Sequence, residues 1–137
     1  MSFTEPTLRL THQAALVMLA AAVAKAEEIG QPQCIVIVDA SGETIAQLRM
    51  TGAKFLSLKS ARTKARTAAS AGQPSGEIPE AVGLLIAAAT DGNVTRLQGG
   101  YPIVINGTLL GGIGVGSGSP DQDSEVAQAA LAALGGR

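Results

Sequence analysis

The segment GGIGVGSGSPDQD, Gly111 to Asp123, constrains the fold more than any other stretch of the chain. Two architectures compete for it. A phosphate-cradling loop needs G-x-G-x-x-G after the first strand of a strand–helix–strand unit, with an acidic residue about 20 positions on. Gly112 and Gly114 supply the first pair, but position 117 is serine, and only 14 residues follow Asp123. That is too few for another strand and crossover. The lysine-bearing loop G-x-x-x-x-G-K-[ST] is also missing from the sequence. The segment therefore reads as a strand that ends and turns into a helix. Ser119 is placed as N-cap, Pro120 at the first helical position, and Gln122 three residues after the cap, as in a capping box. The glycines before it let backbone approach backbone or ligand closely. A helix start also favours an anion, and Asp121 and Asp123 can supply that charge themselves.

Upstream patterning completes an order of αββααβββα. Thr11 to Ile29 reads as a helix, with Thr11 as cap, an apolar stripe of Leu16, Leu19, Ala20 and Val23, and a stop at Gly30 and Pro32. Cys34–Val38 and Thr44–Met50 read as a hairpin across the turn cluster Asp39–Gly42. Helix two covers about Phe55 to Ala71, with Leu58, Ala61, Ala65 and Ala68 on one face. Pro74–Gly76 is a loop, and Pro79 opens a third helix ending near Ala89. Strands are expected at Val94–Leu97, Tyr101–Ile105 and Thr108–Val115. Asn106-Gly107 joins the last two as a hairpin turn, because both positions need positive φ. A final helix runs from Ser119 to Leu134. Strands joined by hairpins imply an antiparallel sheet of five strands with helices packed on it, an α+β domain.

The 137 residues fit one domain, residues 1–137. Apolar residues make up 46% and aromatic ones 2%, so the core must be Ala, Val, Ile and Leu. Such small side chains pack closely and leave apolar surface that an oligomer covers. A net charge of −1 gives no footprint for nucleic acid. Cys34 is alone, which excludes a disulfide framework and a zinc cluster, and no metal site is expected. Residues 14–24 mimic a signal-peptide core, but they are far short of a membrane span and continue helically into KAEEIG. The reading is a cytoplasmic protein with no membrane partner.

The strongest local electrostatic feature lies between Thr44 and Gly76, where there is no carboxylate. Arg49, Lys54, Lys59, Arg62, Lys64 and Arg66 lie there, six of the ten basic residues. Lys59, Arg62 and Arg66 share a helical face, and Lys64 points elsewhere. The readings that stay open are a pocket or subunit face for an anion such as an organic acid or haem propionates, a solvated helix face, or pairing with acidic residues of a neighbouring subunit.

Six motifs in fixed order give the chain a resemblance to the GlcG/HbpS-like family, which includes glycolate-operon proteins, an extracellular haem-binding protein and the C-terminal domain of a cobalamin adenosyltransferase. They are AEEIGQP, VDASG, RMTGA, KARTA, LQGGYPI and GGIGVGSGSPDQD, the last followed by VAQAAL. The resemblance implies a five-stranded antiparallel sheet, a homo-oligomer, and a ligand pocket near subunit contacts, with haem or a corrinoid bound in some members. It carries Lys64, Gly99, Gly100, Tyr101, Pro102 and Asp123 over from the family pattern. Thr51 stands where the pattern has aspartate, and Ser117 is shifted by one position in the glycine segment.

The expected function is therefore binding of a small anionic ligand by an oligomer, with haem as the family-implied cofactor. Arg49, Arg62, Arg66, Gly100, Pro102 and Ser117 are the expected ligand-binding residues. His12 is the only imidazole and so the natural haem-iron ligand, although a lone histidine near a helix start is more often simply exposed. Tyr101, Cys34, Met18 and Met50 are fallback ligands. A second reading is a catabolic isomerase, tautomerase or lyase, with Asp123 as base and Lys64 or Tyr101 as acid or electrostatic clamp. A third is a ligand-free oligomeric scaffold.

Overall fold

The helix termini follow from the capping residues. The computed structural model describes residues 1–135. Helix α1, His12–Glu28, starts at Thr11, whose hydroxyl accepts from the Ala14 amide at 3.2 Å. Helix α4, Pro120–Ala132, starts at Ser119 with both halves of its capping box formed. Between them lie α2, Ser57–Ala71, and α3, Glu80–Ala89. The strands are β1, Cys34–Asp39; β2, Thr44–Arg49; β3, Gly100–Ile105; and β4, Thr108–Gly116. Residues Ser75–Glu77, expected as loop, form one 3₁₀ turn.

The sheet has four antiparallel strands among the described residues, in the order β2-β1-β4-β3. The expected fifth strand, Val94–Leu97, does not form. Its backbone amides are taken by side-chain hydroxyls instead of a neighbouring strand. Val94 donates to Thr90 Oγ1 at 3.1 Å, Thr95 to Thr67 Oγ1 at 3.0 Å, and Leu97 to Thr95 Oγ1 at 3.1 Å. The segment has strand-like composition, but threonine hydroxyls, two nearby and one reaching over from α2, take three of its donors first.

Each face of the sheet carries its own core. Ile35, Ile37, Ile103, Ile113 and Val115 pack under α1 and α4. Cys34, Val36 and Val38 point the other way, against Ala61, Ala65 and Ala69 of α2. Helix α1 buries Ala15, Met18, Ala22 and Ala26; of the expected stripe, Leu19 and Val23 pack half-buried against this core, whereas Ala20 is exposed and Leu16 is 59% exposed. The helix is apolar nearly all round, so periodicity alone does not select the face.

The glycines of β4 explain how α2 reaches the sheet. A Cβ on Gly112 would lie 2.2 Å from the Ala65 carbonyl oxygen, on Gly114 1.9 Å from that of Ala61, and on Gly116 3.0 Å from that of Ser57. Three alternate strand positions thus face three successive helix turns. The spacings agree, because two strand residues advance about 6.6 Å and four helical residues about 6 Å. The hairpin at Asn106-Gly107 forms as expected, with φ of 50° and 80°.

Candidate functional site

The close approach of α2 to the glycine face carries Lys64 past the edge of β4 toward α4. Its ammonium donates to the Val115 carbonyl at 2.8 Å and to Asp123 Oδ2 at 3.0 Å. Asp123 lies in the first turn of α4, and its Oδ1 accepts from the Gly118 amide at 2.9 Å. Both side chains are 5% exposed. A buried charge is tolerated only when paired and hydrogen-bonded, and each partner here meets that condition. Gly99 makes the contact possible: a Cβ there would lie 3.1 Å from Lys64 Nζ and 2.9 Å from Asp123 Cβ, and its φ is 123°.

The ion pair forms one wall of a cavity of about 240 Å³. Lys54, Ser57, Ser60, Gln98, Ser117 and Gly118 also line it, with Leu97 and Pro120 at its apolar side. Ser117 has φ of 101°, a strained value for a residue with a side chain. It is held from two sides: its Oγ accepts from the Lys54 amide at 3.0 Å, and its carbonyl from Gln31 Nε2 at 3.3 Å. Two of the three N–H groups of Lys64 are used by Val115 and Asp123, which leaves the third for a guest in the cavity.

Of the expected site residues, Lys64, Asp123 and Ser117 share this cavity. Gly100 and Tyr101 line a neighbouring cavity of about 340 Å³ with Glu77 and Gln128, and Gln98 borders both. Arg66 lines a third cavity beyond the β1–β2 turn. Arg49, Lys59 and Arg62 are exposed, so the basic residues of 44–76 are not gathered into one cleft. Pro102 is half-buried in β3, and His12 is exposed at the start of α1; neither lines one of these three cavities. Cys34 is buried and its thiol is pushed up from its ordinary range by burial, with Arg49 opposing.

Sequence reasoning passed over Ser57, Ser60 and Gln98. The first two had a signal: with Lys64 they recur at helical spacing along one face of α2. Gln33 was passed over as well. It is wholly buried, neither polar atom of its amide has a partner, and its Nε2 lies 2.9 Å from where a Gly118 Cβ would be.

Comparison with known proteins bears on this arrangement. The model of the family described as haem-degrading protein HbpS-like matches residues 10–132. The corrinoid adenosyltransferase PduO of Citrobacter freundii is 36% identical over 135 residues, which is 95% of this chain and 40% of that protein. The chain therefore spans well under half the length of that relative. Among solved structures, PduOC in complex with haem matches with a TM-score of 0.87 at 31% identity, over 93% of this chain and 96% of that one. A double mutant of HbpS from Streptomyces reticuli matches with a TM-score of 0.87 at 34% identity, over 97% of this chain and 92% of that one.

Proposed function

The chain belongs to the HbpS-like family, and from that premise we propose that it binds a small carboxylate-bearing ligand, with haem or a related tetrapyrrole as first candidate, in an assembly of several copies. The observation that carries this reading is the buried Lys64–Asp123 pair opening on a serine-lined cavity. The pair is neutral as a whole, so the cavity does not demand an anion for charge balance. It offers donors instead: the remaining Lys64 N–H, the hydroxyls of Ser57, Ser60 and Ser117, and the Lys54 side chain at the rim.

A whole tetrapyrrole does not fit inside. About 240 Å³ is below the roughly 300–1,000 Å³ typical of cofactor pockets. A carboxylate arm fits, and the apolar body has a place to go. Leu97 lines both this cavity and an open groove of about 400 Å³ bordered by Leu84, Ala87 and Arg96. His12 borders neither, so an imidazole for the iron comes from a second copy in this reading. The exposed apolar side chains Leu16, Val17, Leu84 and Leu85 supply surface for such an assembly. We place the protein in the cytoplasm; among the described residues, no helix is long and apolar enough to cross a membrane.

The test is a titration with haemin and with its propionate diester. A saturable Soret shift with haemin is expected, weaker in Ser57→Ala/Ser60→Ala and in the diester, and lost in His12→Ala. Equal binding of acid and diester would reject the carboxylate cavity, and no shift at all would reject the tetrapyrrole.

A second reading, acid–base turnover of a small anionic metabolite, rests on the same buried pair. It narrows to Asp123 and Lys64, because Tyr101 opens into the adjacent cavity. It requires that Asp123→Asn abolish turnover in a folded protein.

A further inference from the structure

Arg66 stands apart from the other basic residues. Lys64 and Lys25 are paired with carboxylates, and Arg49 and Arg62 are exposed. Arg66 is half-buried, yet among the described residues its guanidinium makes neither an ion pair nor a hydrogen bond. Its side chain passes close over the β1–β2 turn: a Cβ on Gly42 would be 3.2 Å from its Nε and 3.8 Å from its Cγ and Nη2. Gly42 has φ of 83°, so the turn both requires a glycine and gives the guanidinium its seat.

The guanidinium borders a cavity of about 270 Å³. Ser41 comes from the turn, Ser70 from the next turn of α2, and Thr90 and Asn93 from the end of α3. The hydroxyls of Ser41 and Ser70 are unspent. Asn93 uses one N–H on the Thr90 carbonyl at 2.8 Å and keeps the other. Of the last four carbonyls of α3, three are occupied and, among the described residues, only that of Ala89 is without a partner. Ile86 accepts from Thr90, Ala87 from Gly92, and Ala88 from Asp91. On the turn, Asp39 Oδ1 is occupied by the Ser41 and Glu43 amides.

We infer that this cavity is a second ligand site, built for a tetrahedral phosphate group. It shares no lining residue with the Lys64–Asp123 cavity and does not depend on the reading given for that one. A carboxylate is planar and is satisfied by the guanidinium fork alone. Donors brought in from three separate elements suit an oxyanion whose remaining oxygens point out of that plane.

The test is amide chemical-shift mapping at constant ionic strength with inorganic phosphate, glycerol phosphate and succinate. Shifts at Gly42, Ser70 and Asn93 are expected with both phosphates, and the stronger of the two distinguishes a free anion from a monoester. Arg66→Ala should weaken binding about tenfold to a hundredfold, as loss of hydrogen bonds to a charged group does. Arg66→Lys should retain only part of the affinity, and the exposed Ser70→Ala should weaken it without touching the fold. Lys59→Ala, on the same helix but outside the cavity, should leave it unchanged. The inference fails if Lys59→Ala weakens binding as much as Arg66→Ala, if succinate binds as well as phosphate, or if no localised shifts appear.

Discussion

Replacing Lys64 by methionine tests the ion pair on which the proposed ligand cavity is built. The substitution keeps most of the side-chain volume and removes the charge. Asp123, 5% exposed, would then retain one donor, the Gly118 amide at 2.9 Å. The Val115 carbonyl would lose its 2.8 Å partner as well. Breaking a buried pair by removing one side costs about 3–5 kcal/mol. A domain of this size has about 5–15 kcal/mol in total, so the variant should fold with a much reduced margin. Asp123→Asn alone should also destabilise, because it leaves the buried ammonium without a counter-charge and offers one amide oxygen to the two donors, Lys64 and the Gly118 amide, that the carboxylate now serves. The double variant removes both charges and should be more stable than the sum of the singles by about 2 kcal/mol or more. The chain has no tryptophan, so urea unfolding is best followed by far-UV circular dichroism. A loss below about 1 kcal/mol for Lys64→Met, with an additive double variant, is the signature of a solvated surface pair and would refute the reasoning.

Two further outcomes follow from the packing. Gly114→Ala should cost about 3 kcal/mol or more in the same unfolding assay, since its Cβ meets helix backbone at 1.9 Å and no rotamer change relieves that; near-neutral stability would mean that α2 does not lie on β4 as described. Cys34 should resist thiol reagents in the native protein and react at once in urea. Because burial raises its folded-state pKa, the unfolded chain releases that proton first as pH rises. Stability should therefore fall as pH climbs above the ordinary thiol range, and Cys34→Ala should flatten that slope.

The local code was legible where a residue's preference and its place agree. Thr11 and Ser119 cap their helices because their hydroxyls reach amides three residues on, and that geometry is written in adjacent sequence. Asn106-Gly107 turns the chain for the same kind of reason. Val94–Leu97 misled because Thr90 and Thr67 compete for its amides, and Thr67 is 28 residues from its partner. The face of α1 was legible only in part, because Leu19 and Val23 pack on the core as expected but its centre is made by small alanines and Met18, while Leu16 faces out.

The site was legible only in pieces. Lys64, Asp123 and Ser117 were each marked as candidates, but nothing in a linear pattern joins residues 64 and 123. Their meeting depends on a glycine strand thin enough for α2 to lie on it, and on Gly99 leaving room between the two charges. The basic residues of 44–76 looked like one cluster, yet the twist of strand and helix sends them to different surfaces. By itself the sequence determined the caps, the turns, the helices and the extents of four strands, because those depend on residue preferences and hydrogen bonds a few positions long, whereas the pairing of β1 with β4 joins distant segments. Only the tertiary structure decided which cations are buried, which carboxylate meets them and where cavities open, because burial is a property of what packs on top, and that comes from distant parts of the chain.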